Sequence, residues 1–334
     1  MGLKRVEAIT LESGENNLRC ATIDHINGFA YFGTVTAPGK VIKIKLSDFT
    51  KVGSLNFIGN ETNLCGACID VIDGFAYFGC WYAENRVVKV KLSDFTRIGS
   101  TYQAAVGDGC LAGVIDKAND YMYWGTSALA SRIMRIRLST FVWDASLTLV
   151  PDGSALWSAV IDTAAGFAYF GNNKSPASII KINLAGFSET ARIVLASGEN
   201  NASSAVIDVA GGFAYFILAT SPSKVVKIRL SDFTKVGVLT FATGENAALS
   251  GIFYPEKKAI CVGLQTDPGK VVVVSTDTFT AIQTLELPAG ETYLRSMAFD
   301  QTTKKLYHGT IHSPGKVIQT MFGRPQMLQI AGIG

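Results

Sequence analysis

Gly28-Phe29-Ala30-Tyr31-Phe32-Gly33 decides the fold of this chain, because it returns. It recurs unchanged from Gly74 and from Gly166, and in altered form as Asp120-Tyr121-Met122-Tyr123-Trp124-Gly125 and Gly212-Phe213-Ala214-Tyr215-Phe216. Weaker copies follow as Ala259-Ile260-Cys261-Val262-Gly263 and Lys305-Leu306-Tyr307-His308-Gly309. The spacing is 46 residues at every step, without insertion. A fixed period of this length marks a solenoid or a propeller, and the content of the unit decides between them.

Outward from that stretch, each unit reads as four short strands. In the first copy they cover about residues 19–24, 29–33, 40–46 and 52–57. β-Branched and aromatic residues fill them, and Gly, Pro, Asp, Asn and Ser mark the turns. No stretch holds a helical period, which excludes helical solenoids. Four antiparallel strands per unit is a propeller blade, so the fold class is all-β: a seven-bladed β-propeller. The phase of the repeat also places the closure. Residues 5–11 align with the fourth strand at 51–57, whereas the last copy carries only three strands before Phe322-Gly323-Arg324-Pro325 replaces the recurring Leu-Ser-Asp-Phe-Thr turn. The N-terminal strand, residues 4–11, is therefore expected to complete blade seven. One domain spans 1–322, with blades at about 18–57, 64–103, 110–149, 156–195, 202–241, 248–287 and 294–322, and a tail at 323–334.

The motif Ile-Asp-x-x-x-Gly-Phe-Ala-Tyr-Phe-Gly, followed by Gly-Lys-Val-Ile-Lys-Ile and a Ser-Asp-Phe-Thr turn, resembles the YVTN-type propellers, in the neighbourhood of NHL and WD-repeat propellers. Trp143-Asp144 occurs once, so the WD dipeptide is not a repeated element. The resemblance implies a propeller, but such propellers serve as lactonases, dehydrogenase subunits, adhesins and scaffolds, so it leaves function open.

The chain has 334 residues, 48% hydrophobic and 17% charged, with net charge +3. That composition supports an extensive core and offers no bulk charge for nucleic acid or anionic membranes. No secretory leader and no apolar run long enough to span a bilayer is visible. The expectation is a soluble chain of cytoplasmic synthesis, without nucleic-acid binding or membrane insertion. Six cysteines (Cys20, Cys65, Cys68, Cys80, Cys110 and Cys261) fall at unmatched repeat positions and so form no disulfide framework. Cys65 and Cys68 are three apart on a strand and point to opposite faces, so no zinc site is expected there. No metal and no cofactor is expected.

Residues that repeat read as construction. Asp24, Asp70, Asp116, Asp162, Asp208 and Asp300 suit caps of the turn after each first strand. The Phe29/Tyr31-type pair and the turn phenylalanines (Phe49, Phe95, Phe141, Phe187, Phe233 and Phe279) suit core between blades. Lys43, Lys45, Lys89, Lys91, Arg135, Arg137, Lys181, Lys227 and Arg229 are expected to spread around the circumference rather than form a nucleic-acid face. The loop before each first strand carries Glu15, Glu61, Glu199, Glu245 or Glu291, with Gly107 and Gly153 breaking the series. These five carboxylates are candidates to ring one channel opening.

Function is sought where the repeat varies. The first-strand position near the channel mouth runs Arg19, Cys65, Leu111, Trp157, Ser203, Leu249, Arg295. Arg19 and Arg295 belong to blades one and seven, neighbours in a closed ring, and two arginines facing one channel could hold an acidic group. Arg19, Arg295, Trp157 and the five glutamates are thus the ligand-binding candidates. The leading expectation is a non-enzymatic binding propeller for a protein or carbohydrate partner. A second is a structural component of a virion, tail or surface layer, docked through the apolar tail at Met327, Leu328, Ile330 and Ile333. A third is a lactonase-like hydrolase using Arg19, Arg295, His25 and Glu15.

Overall fold

A computed structural model describes residues 2–81, 84–103, 109–127, 131–150 and 154–323. Twenty-eight strands, β1 to β28 in chain order, form seven separate four-stranded antiparallel sheets. Blade one shows the plan: β2 (Leu18–Asp24), β3 (Phe29–Thr34), β4 (Lys40–Lys45) and β5 (Thr50–Asn56) lie side by side in sequence order. Ring closure follows the phase of the repeat. β1 (Leu3–Thr10) pairs with β28 (Lys316–Phe322), from Leu3 opposite Phe322 to Thr10 opposite Lys316, and so supplies the outer strand of blade seven.

Burial within a blade follows strand position. The second strand packs against a neighbouring blade on both faces; in β3, five of six residues are buried. The outer strand β5 alternates exposed and half-buried residues, as a sheet edge with one covered face should. Small residues let the blades approach at the axis. A Cβ on Gly33 would lie 2.9 Å from Cβ of Leu64, and one on Gly125 would lie 2.6 Å from Cβ of Leu156. Ser158 and Ser296 use the same closeness, donating 2.9 Å hydrogen bonds to the carbonyls of Ala202 and Leu18 in the following blade.

The first-strand aspartates cap their turns. Asp24 accepts from the amides of Ile26 and Asn27, Asp70 from Ile72 and Asp73, and Asp300 from Thr302 and Thr303. The turn phenylalanines do more than fill space. Phe49, Phe95, Phe141, Phe187, Phe233 and Phe279 all sit in the left-handed region at φ 42–55°. That conformation is costly for a bulky residue. It directs each ring onto the tyrosine of the preceding blade, as in Tyr31–Phe95 at 5.8 Å and Tyr169–Phe233 at 5.7 Å; Phe49–Tyr307 at 5.7 Å joins blade one to blade seven.

The basic residues of the third strand divide into two rows. Lys45, Lys91 and Arg229 are exposed and pair with Asp48, Asp94 and Asp232 of their own turns. The inner row departs from the expected circumferential belt. Lys43 Nζ lies 4.1 Å from the Phe29 ring centroid and 5.3 Å from that of Phe95, and Lys89, Arg135, Lys181 and Lys227 repeat the arrangement. These charges are tucked between blades, where aromatic faces attract cations. Burial pushes Lys43, Lys89 and Lys227 below the usual lysine range.

Candidate functional site at the channel mouth

Each first strand begins beside the axis, so its opening residues face a shared space. A central cavity of about 180 Å³ is lined by the second, third and fourth residues of the first strands, including Arg19, Cys65, Leu111, Trp157, Ser203, Leu249 and Arg295. Arg19, Trp157 and Arg295 are therefore brought together where the varying repeat position placed them. A narrower recess is bounded by Arg19, Cys65, Leu111, Trp157 and Arg295 alone.

The two guanidiniums share an aromatic wall. Arg19 Cζ lies 4.1 Å from the Trp81 ring centroid and 5.1 Å from that of Trp157, and Arg295 Cζ lies 5.2 Å from the same Trp157 ring. The two indoles meet edge to face at 6.1 Å. Trp81 was not among the sequence candidates. It follows the second strand of blade two, at a repeat position otherwise filled by Val35, Ser127, Asn173, Ala219, Gln265 and Ile311. The one signal was a tryptophan at a position with no other aromatic residue, in a connection that lies on the same face as the start of the first strand.

Electrostatically the site is one-sided. Among the described residues no carboxylate forms an ion pair with Arg19 or Arg295. Arg19 Nε and Trp157 Nε1 are buried without a hydrogen-bond partner. Desolvation, followed by repulsion from Arg19, pushes the Arg295 guanidinium down to about 9. Burial raises the Cys65 thiol to about 11, although both arginines oppose that rise, so it is a neutral thiol here. Its Sγ donates to the Asn63 carbonyl at 3.2 Å. All six cysteines are free. Among the described residues no three His, Cys, Asp or Glu side chains are grouped as metal ligands.

The glutamates have a different destination. Glu15, Glu61, Glu199, Glu245 and Glu291 are all at most 8% exposed, and none lines the central cavity. Each reaches outward to the outer strand of the blade that follows its loop: Glu15 to Lys51 at 2.7 Å, Glu61 to Arg97 at 2.7 Å and Glu199 to Lys235 at 2.9 Å. Glu245 accepts from Thr284 at 2.6 Å, and Arg5 donates to Glu291 at 2.9 Å. The backbone carbonyl of the same residue accepts from the preceding blade, as in Gly39 N to Glu61 O at 2.8 Å and Gly315 N to Glu15 O at 2.8 Å. These residues are clasps between adjacent blades, not a carboxylate ring at the opening. Burial pushes Glu15 and Glu61 up, but their hydrogen bonds to Lys51, Ser54 and Arg97 outweigh it and hold both below the usual range. Gly107 and Gly153, which interrupt the series, lie outside the described residues, as do Met327, Leu328, Ile330 and Ile333 of the tail.

The hydrolase set is not assembled. His25 is exposed in the turn beyond Asp24, at the far end of β2 from Arg19, and Glu15 is held by Lys51. Six residues of extended chain separate Arg19 from His25, roughly 20 Å.

Neither protein-family models nor curated proteins match this sequence. Among solved structures, Kuenenia stuttgartiensis hydrazine synthase contains a chain that superposes with a TM-score of 0.79 at 11% sequence identity, over 93% of this chain and 96% of that one. At that identity the likeness concerns the fold: this chain is a seven-bladed β-propeller. No helix among the described residues is long and apolar enough to cross a membrane.

Proposed function

We propose that this chain is a non-enzymatic binding propeller that receives an acidic group of a protein or carbohydrate partner at its channel mouth. One observation carries the reading: two arginines that pair with no carboxylate among the described residues converge on one tryptophan-walled cavity. Partly buried cations repel each other and lose hydration, so the arrangement is costly unless it serves an anion. The guanidinium fork suits carboxylate, phosphate or sulfate oxygens, and the indoles offer apolar faces to the body that carries them. The ring around the site is rigid and regular, as a presenting scaffold should be. The motif likeness to YVTN-type repeats agrees with such a role and does not define the partner.

Binding of the wild-type chain and an Arg19→Met/Arg295→Met double variant to arrays of acidic and neutral glycans and peptides tests this. Acid-dependent signals that vanish in the double variant are expected. Identical profiles for the two proteins would remove the channel mouth as the recognition surface.

A further inference from the structure

Resting on that reading, we infer that the channel mouth is a site for a compact dianionic group, a phosphate monoester or short dicarboxylate, rather than for a single carboxylate.

Arg19 and Arg295 both lie within about 5 Å of the Trp157 ring and both border the same narrow recess. They are close enough for Arg19 to disfavour the charged form of Arg295. A monoanion placed between them neutralises one charge and leaves the other partly buried without a counter-charge. A dianion neutralises both. The cost of the unpaired second cation in a low-dielectric recess is what separates the two ligand classes.

Size and shape limit the ligand further. A cavity of about 180 Å³ is only slightly larger than the engineered apolar cavity of about 150 Å³ that accepts benzene. It holds one small charged group, and because the mouth is open to solvent the body attached to that group lies outside it. The remaining wall also selects by chemistry. Leu111, Leu249 and the Trp157 ring are apolar, while Ser203 Oγ is already engaged with the carbonyls of Ile217 and Ala248. Charged contacts to an incoming group therefore come from the two guanidiniums, and three orphaned polar atoms, Arg19 Nε, Trp157 Nε1 and Ser250 Oγ, belong to residues of the same lining. The guanidinium and indole groups only donate, and the serine hydroxyls can donate too, which favours a deprotonated oxyanion over a neutral acid or an amide.

Titrations of the full chain with methyl phosphate, malonate and acetate at constant ionic strength, followed by tryptophan fluorescence and calorimetry, test the inference. At pH 7.5 methyl phosphate or malonate should bind at least about tenfold more tightly than acetate. The two dianions distinguish a tetrahedral phosphate site from a dicarboxylate site. Arg295→Met and Arg19→Met should each bring dianion affinity down to the acetate level, with circular dichroism confirming the fold. Methyl phosphate should bind more weakly at pH 5 than at pH 7.5, because its second proton returns near pH 6. Equal affinity for acetate and both dianions would overturn the dianion inference and leave an acidic-group site standing. If no acid binds and the array profiles of wild type and double variant are identical, the channel-mouth reading falls as well.

Discussion

Blade seven carries the clearest departure from an apolar core, and it predicts how the ring responds to acid. His308 occupies the place filled by Phe32, Phe78, Phe170 and Phe216 in other blades, and Thr320 the place of Ile44, Ile136, Ile182 and Ile228. Both are fully buried, with His308 Nε2 and Thr320 Oγ1 2.8 Å apart. Burial drives the imidazole down to about 3. The ordinary value of about 6.5 applies in the unfolded chain. Above pH 6.5 the imidazole is neutral in both states and costs nothing. Between about 6.5 and 3 only the unfolded state takes the proton, so stability falls as pH falls through that window. At pH 4.5 the loss is about 3 kcal/mol, two pH units below the unfolded value at about 1.36 kcal/mol each. His308→Phe/Thr320→Ile restores the residues of the other blades and removes the term. Thermal and urea unfolding of wild type and double variant at pH 7.5 and 4.5 isolates it, since carboxylates common to both proteins cancel. Acidification should widen the stability gap in favour of the variant by about 3 kcal/mol, or about 4 °C in Tm for a domain of this size. A gap unchanged between the two pH values would refute the assignment of a neutral buried His308.

Two further outcomes follow from the same charge accounting. Glu61→Gln weakens the part-buried contact with Arg97 and should cost about 2 kcal/mol, measured by urea denaturation. The carboxylate is held low in the folded state, so the difference from wild type should shrink as pH drops below its ordinary value of 4.5. Arg295→Met removes a buried charge that pairs with no carboxylate among the described residues and should stabilise the ring by about 1–2 kcal/mol, seen in calorimetry as a Tm about 2 °C higher. A destabilised Arg295→Met protein would mean that this arginine serves packing rather than recognition.

The fold was legible because each blade repeats the same solution to the same packing problem. A period of 46 residues, two-residue alternation and turn chemistry all pointed to one architecture, and the phase of the first strand located the closure on β28. The candidate site was legible only in part. Arg19, Trp157 and Arg295 could be placed because first strands start at the axis whatever their side chains are. Trp81 could not be placed by that rule, since it stands in a connection, and its distance from the axis depends on the path of the loop. The glutamates misled for a related reason. Their loops border the opening, but a side chain can turn either way, and the outer-strand partners Lys51, Arg97, Lys235, Thr284 and Arg5 offer charge or hydrogen bonding outward. Sequence position locates a backbone; the direction of a long carboxylate side chain is set by a partner distant in the chain.

That distinction explains why conflict with stability collects at the mouth. Within the blades the clasp glutamates meet basic or hydroxyl partners, and each inner cation has an aromatic pocket of its own between two blades, whereas at the mouth two arginines share the Trp157 ring. A repeat can encode such matching once and copy it, because each blade supplies the partner for the next. The axis is different. All seven blades present the same strand position to one small volume, so a cation from blade one and a cation from blade seven meet without either blade's internal pairing to offset them. A change at this position alters the axis while leaving the aromatic and glutamate contacts between blades intact. The channel mouth is thus where the ring can accept a recognition site at the least disturbance to its own construction. The same geometry makes its unmatched charge informative about a ligand.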